Sequence, residues 1–193
     1  SADGRSWSKA SPVAAGDFAD ANPAIAEDAQ GRLHLYFASN RSGEDQGLYH
    51  TSQAGATWAT ATEITGFEGA QDVAACADAT GVTVAAEVMG VGLLAASSPD
   101  GATFAAPSEL SQQGAEPAAC SLGGGRSLVA FQRDGKIWGR AGKPGAWEAE
   151  AELASGATRL RDPALAPGEL IWSMKGEAGF GLHASLIDEQ LAT

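Results

Sequence analysis

Basic residues are scarce in this sequence: Lys and Arg number 12 against 24 Asp and Glu, for a formal charge of −12 over 193 residues. Without clustered cations the chain has no electrostatic hold on a phosphate backbone or an anionic bilayer, so nucleic acid and membrane surfaces are not expected partners. No run approaches the roughly 20 apolar residues needed to cross a bilayer. The N-terminus also lacks the basic-then-apolar pattern of a signal peptide. A soluble chain is expected, exported with any signal already removed. Cysteine is limited to Cys76 and Cys120, whose spacing excludes a CxxC zinc or redox motif. No window sustains a helical period, because 25 Gly and 8 Pro punctuate the chain. A nucleophile elbow and a phosphate-binding loop are absent too, since Gly123-Gly124-Gly125 precedes a strand-like run and reads as a turn.

What is present is a fourfold repeat. Trp7, Trp58, Phe104 and Trp147 are each followed six residues later by an aliphatic residue: Val13, Ile64, Leu110 and Leu153. A polar residue then opens a stretch of small residues: Asn22-Pro23-Ala24-Ile25, Asp72-Val73-Ala74-Ala75, Glu116-Pro117-Ala118-Ala119 and Asp162-Pro163-Ala164-Leu165. After a glycine turn comes a second run, beginning at Leu33, Val82, Leu128 and Leu170, and a third begins at Leu48, Leu94, Ile137 and Leu182. Short, β-branched or aromatic runs bounded by turn formers read as buried strands. Anchor-to-anchor spacings of 51, 46 and 43 residues fit four-stranded β-meanders, for which about 40 to 50 residues is usual.

Two segments ahead of the aromatic anchors, Thr51-Ser52-Gln53-Ala54-Gly55-Ala56-Thr57-Trp58 and Ser97-Ser98-Pro99-Asp100-Gly101-Ala102-Thr103-Phe104, resemble the Asp-box (BNR repeat) of sialidase-like β-propellers. Ser1-Ala2-Asp3-Gly4-Arg5-Ser6-Trp7 resembles a third copy, cut at its start. The copies depart from the pattern Ser-x-Asp-x-Gly-x-Thr-Trp, with Gln53 and Pro99 in the Asp place and an acid one residue after Pro99. The stretch Asn22 to Trp58 is also similar to the propeller repeats of periplasmic Tol-associated and peptidoglycan-associated proteins. The resemblance implies an all-β, four-bladed β-propeller forming a single domain over residues 1–193. Its repeats fall at residues 18–64, 68–110, 113–153 and 158–193 plus 1–13. The N-terminal segment Trp7 to Val13 reads as a fourth strand that completes the C-terminal blade, which would leave no free sheet edge. A fragment of a larger ring, or incomplete rings pairing, are the alternatives, so monomer and homodimer both stand.

Asn22, Asp72, Glu116 and Asp162 share one repeat position, at the start of the innermost strand, and should ring one mouth of a central channel. Oxygen ligands converging there would suit Ca²⁺, which takes six to eight oxygens at about 2.3 to 2.6 Å. Alternatively each caps its own turn, and Arg161 offers Asp162 a counter-charge. Cys76 and Cys120 are equivalent to each other and form either a disulfide between blades or two buried thiols. His34, His50 and His183 would come together on ring closure and hold a metal, or serve as hydrogen-bonded structural groups.

Sialidases use an arginine triad, a Tyr-Glu nucleophile pair and an Asp acid/base. Here the only tyrosines are Tyr36 and Tyr49, and no three arginines share a repeat position. Arg161-Asp162-Pro163 is similar to a motif of five-bladed glycosidases but simply continues the series of Asn22-Pro23 and Glu116-Pro117. The expectation is a non-enzymatic exported binding module that contacts a protein or glycan partner at the cell envelope. Its contacts would come from loops on one face, such as Ser39 to Gly47 and Ala141 to Gly145, with Tyr36, Tyr49, Trp138 and Trp172 as candidate stacking surfaces, of which Tyr36 and Trp172 read rather as core. The alternatives are a sialidase-like glycoside hydrolase and a metal-binding or structural domain with an axial cation.

Overall fold

The computed structural model describes residues 5–6, 9–43, 45–156, 159–166, 168–176 and 179–187. Seventeen strands in four antiparallel sheets make up all the regular structure among them. Sheet 1 holds β1 (Ala21–Glu27), β2 (Leu33–Ser39), β3 (Gly47–Ala54), β4 (Thr57–Trp58) and β5 (Thr62–Ile64). Sheet 2 holds β6 (Ala70–Asp78), β7 (Gly81–Val88), β8 (Gly92–Ser98) and β9 (Ser108–Ser111). Sheet 3 holds β10 (Ala115–Gly123), β11 (Arg126–Arg133), β12 (Lys136–Lys143), β13 (Ala146–Trp147) and β14 (Ala151–Ala154). Sheet 4 holds β15 (Leu160–Ala166), β16 (Glu169–Gly176) and β17 (Gly179–Leu186).

Each sheet is a meander because alternating apolar runs are joined by turns whose chemistry the sequence supplies. At the first hairpin of sheet 1, Asp28 Oδ1 accepts the N–H groups of Gln30 and Arg32, both at 2.9 Å. Asp78 repeats the arrangement in sheet 2, accepting the Thr80 N–H at 2.7 Å. A short polar side chain bonding the backbone two residues on mimics a turn. At the β8 end, Asp100 Oδ1 accepts the N–H groups of Ala102 and Thr103. Here the acid that follows Pro99 organises the hairpin.

The four inner strands β1, β6, β10 and β15 pack in that order, and apolar clusters fill the spaces between successive sheets. Tyr36 and Leu48 meet Val82, Val84 and Val88 between sheets 1 and 2. Leu93 and Leu110 meet Val129 and Phe131 between sheets 2 and 3, and Ile137 meets Leu160 and Leu170 between sheets 3 and 4. Burying such side chains stabilises by about 1.5–3 kcal/mol each.

Three expectations need correction. Trp7 lies outside the described residues, the segment 9–13 forms no strand, and sheet 4 has three strands. The joining of the N-terminal segment to the last sheet is therefore absent among the described residues. In sheet 2 the position equivalent to Leu48 and Ile137 is Leu93 rather than Leu94: Leu93 pairs with Glu87 as Leu48 does with Ala38 and Ile137 with Gln132. Finally, Ala141 to Gly145 is no loop, because β12 runs to Lys143 and turns directly into β13.

Candidate functional site

Asn22, Asp72, Glu116 and Asp162 do come together. With Pro23, Val73, Pro117 and Pro163 they line a depression of about 310 Å³ at the head of the inner strands. A register shift interrupts every inner hairpin at this position. Asn22, Glu116 and Asp162 adopt φ of 50°, 51° and 50°. These three precede proline, whose ring bars the preceding residue from the right-handed helical region. Asp72, which precedes valine, is not among the positive-φ residues.

The polar groups at this mouth are engaged with neighbours. Asp162 Oδ2 accepts the Ser173 hydroxyl at 2.7 Å, Glu116 Oε2 accepts the Asp162 N–H at 3.0 Å, and Asn22 Nδ2 donates to the Gln71 carbonyl at 3.4 Å. Burial, and then the Asp162 charge, pushes the Asp72 carboxyl up. Burial likewise raises Glu87, against a hydrogen bond from the Glu116 N–H. Among the described residues no group of three or more His, Cys, Asp or Glu stands in metal-holding geometry.

Cys76 and Cys120 are free, buried thiols on adjacent inner strands. Cys76 Sγ donates to Ser127 Oγ at 3.4 Å, and burial pushes its pKa up to about 12. Two of the three histidines meet, with His34 Nδ1 3.0 Å from His50 Nε2 inside sheet 1. His183 instead stacks on Trp172 across β16 and β17 in sheet 4, ring centroids 6.0 Å apart. Tyr36 and Tyr49 are buried and offer no stacking surface.

A further polar cleft centres on a residue that the sequence did not single out. Arg133 ends β11, where Asp134 and Gly135, with φ of 54° and 75°, make the two-residue turn to β12. Positive φ at both central residues suits the twist of a hairpin. The turn sets Arg133 opposite Lys136 and Phe131 opposite Trp138. The Arg133 guanidinium lies over the Trp138 ring, 4.4 Å from its centroid, and Arg133 Nη1 is 2.6 Å from Glu150 Oε2. From sheet 2, Ser111 Oγ lies 3.3 Å from the same nitrogen. A guanidinium fixed on one side by an aromatic face and on the other by a carboxylate loses little freedom when it binds a further partner.

Arg133 lines two clefts, one at the β11–β12 turn of sheet 3 and one at the junction of sheets 2 and 3. One, of about 610 Å³, also takes in Gln113, Gln132, Lys136 and Arg159; the other, of about 330 Å³, takes in Gln112, Gln113, Glu109 and Glu150. Arg140, at the floor of the second, gives its guanidinium to the carbonyls of Leu110, Trp147 and Glu148 and holds the two sheets together. The Trp138 indole N–H is buried and unpartnered. The amides, carboxylates and guanidinium groups that line these clefts supply the paired donors and acceptors that a polyhydroxyl ligand requires.

The sequence matches no known family, and no curated protein matches it. Solved structures do resemble it. A protein of unknown function from Dyadobacter fermentans superposes with a TM-score of 0.62 at 18% identity, covering 87% of this chain and 54% of that one. The subtype N11 neuraminidase-like protein of a flat-faced bat virus gives 0.55 at 8% identity, covering 84% and 51%. A six-bladed fucose-recognising lectin from Aleuria aurantia gives 0.54 at 14% identity, covering 81% and 56%. The fold is therefore of the β-propeller class. The chain spans about half the length of these structures.

Proposed function

We propose that this protein is a non-enzymatic carbohydrate-binding module of the β-propeller class, with its glycan site in the cleft around Arg133. The observation that carries this reading is the clamp of Arg133 between Trp138 and Glu150, at a junction of sheets open on both sides. Cations and carboxylates are interspersed there, Arg133, Lys136, Arg140 and Arg159 against Glu109, Asp134 and Glu150. Because Arg133 and Lys136 are already paired with Glu150 and Glu152, and Arg140 with backbone carbonyls, the clefts suit a neutral sugar over a sugar acid. The likeness in fold to a fucose-recognising lectin supports the class. Export to the cell envelope belongs to the same reading.

A glycan microarray probed with the intact chain and with Arg133→Met tests it. Selective binding of neutral glycans that disappears in the variant supports the proposal. An empty array, or binding unchanged by the substitution, refutes it.

A second reading rests on the axial mouth. Asp72 and Glu87, both raised by burial, lie beside the carboxylates of Asp162 and Glu116. Glycoside hydrolysis uses a carboxyl raised by its surroundings as general acid beside a second carboxylate. Turnover of aryl glycosides that is lost in Asp72→Asn would favour this reading; no turnover over the panel would exclude it.

A further inference from the structure

Ala26, Cys76 and Cys120 hold one register position on the inner strands, and the residues paired with them on the second strands are His34, Thr83 and Leu128. In sheets 1 and 3 a large side chain fills this place, His34 being 1% and Leu128 0% exposed. In sheet 2 the place holds threonine, and a cavity of about 260 Å³ lies beside it between sheets 2 and 3. The cavity sits at the Asp78 end of β6, whereas Asp72 and the Arg133 clefts lie at the other end of the paired strands. Ligand pockets for drug-sized molecules run from about 300 to 1,000 Å³, so this one suits something smaller.

Hydroxyl groups line it. Thr83 is 6% exposed, and its hydroxyl has no hydrogen-bond partner among the described residues. Ser127, 3% exposed, accepts the Cys76 thiol at 3.4 Å and keeps its own hydroxyl proton to give. Ser97, paired with Thr83 across β7 and β8, adds a third hydroxyl. Buried hydroxyls without partners are costly, so this wall is suited to a ligand that brings polar groups of its own.

Two ionic groups share the cavity, and only one is free to bind. Burial works to raise the Asp78 pKa, but four hydrogen bonds hold the carboxyl below its ordinary range. Oδ1 accepts the Thr80 N–H and hydroxyl, and Oδ2 accepts the Gly125 N–H and the Ser121 hydroxyl. Four donors fill the acceptor positions of a carboxylate. Lys143, at the end of β12, makes no hydrogen bond or ion pair among the described residues. A side-chain carbon at Gly125 would stand 3.4 Å from its Nζ, so the glycine leaves room for the ammonium and for what it holds. One open ammonium beside one fixed carboxylate favours a singly charged anion over a doubly charged one.

We propose that the cavity between sheets 2 and 3 binds a small hydroxylated monocarboxylic acid, with its carboxylate on Lys143 and its hydroxyls on Thr83, Ser97 and Ser127. A carboxylate only accepts and so matches the ammonium, whereas hydroxyls on both sides can give and accept and so match one another. The site shares no residue with the Arg133 clefts and stands apart from glycan binding there.

Amide chemical shifts of the intact chain, titrated into the millimolar range with D-glycerate and D-gluconate, read the site directly. Glycerol and inorganic phosphate serve as controls for the carboxylate and for charge alone. Saturable shifts at Thr83, Ser97, Gly125 and Ser127 are expected with at least one of the two acids, at least tenfold tighter than with either control. Lys143→Gln is expected to weaken binding at least tenfold, and Lys143 is exposed, so the variant keeps the fold. Thr83→Val removes the hydroxyl at nearly constant shape and is expected to weaken binding several-fold. No saturable shifts with either acid, shifts confined to other residues, glycerol or phosphate bound as tightly as the acids, or full affinity in Lys143→Gln overturns the proposal.

Discussion

His34 Nδ1 lies 3.0 Å from His50 Nε2, and on the other side of the same ring His34 Nε2 lies 3.1 Å from Asp28 Oδ2. The chain of three fixes its own protons. An ionised Asp28 only accepts, so His34 donates through Nε2, and a neutral His34 then accepts at Nδ1 from the His50 N–H. Burial works to raise the Asp28 pKa, but hydrogen bonds from the Arg32 N–H, from His34, from the Arg32 guanidinium and from the Gln30 N–H outweigh it and hold the carboxyl well below its ordinary range.

The same cluster makes stability depend on pH. Burial, and then the neighbouring His34, lowers the His50 pKa from 6.5 to about 4. Between those values the unfolded chain binds a proton that the folded chain refuses, so stability rises with pH there. The urea midpoint is expected to be level above pH 6.5 and to fall as pH drops from 6.5 towards 4. A further fall below 3.8 follows as Asp28 is protonated. His50→Gln keeps an amide donor without a titratable ring and should flatten the upper window; an unchanged slope would remove His50 from the explanation.

Two glycines at equivalent turns separate backbone strain from crowding. Gly55 and Gly101 have φ of 66° and 75°, but a side-chain carbon at Gly55 would meet nothing within 4 Å, whereas at Gly101 it would run into the His34 ring. Gly55→Ala is expected to cost about 1–2 kcal/mol for the left-handed backbone. Gly101→Ala should cost about 1–3 kcal/mol more for the overpacking, read as a difference in urea midpoints. Equal losses would show that the His34 cluster yields freely.

The repeat was legible in the sequence because each sheet reuses one alternation of apolar and polar residues. The shared position of Asn22, Asp72, Glu116 and Asp162 did predict a common mouth. The one-residue shift to Leu93 was hidden because Leu93 and Leu94 are chemically the same, and only strand register tells them apart. The Arg133 cleft was missed because Glu150 approaches from the link between β13 and β14 and Ser111 from a different sheet. The Asp134-Gly135 pair was the available signal, since a two-residue hairpin turn at those positions places Arg133 beside Trp138.

The thiols provide a third test. Burial raises the pKa of both, that of Cys76 to about 12, and the thiolate is the reactive form. Alkylation of the folded chain at pH 8 is therefore expected to be slow and to accelerate sharply across the urea transition. Rapid labelling of both in native buffer would contradict their burial.

Charge at the axial mouth should be a cost at neutral pH. Burial and Asp162 raise the Asp72 pKa, so the folded state loses stability as pH climbs through the ordinary carboxyl range and Asp72 ionises. Asp72→Asn is expected to raise the melting temperature at pH 7 and to leave it unchanged near pH 3. A destabilised variant at pH 7 would mean that the carboxylate holds the inner strand in place.

Glycan recognition at Arg133 is tested most directly by titration calorimetry with the strongest neutral glycan from the array, using the native chain, Arg133→Met and Glu150→Gln. The account predicts one site per chain, at least tenfold weaker binding in Arg133→Met, and a smaller loss in Glu150→Gln, where the guanidinium keeps its stacking on Trp138. Full affinity in Arg133→Met would contradict it and move the search to the axial mouth.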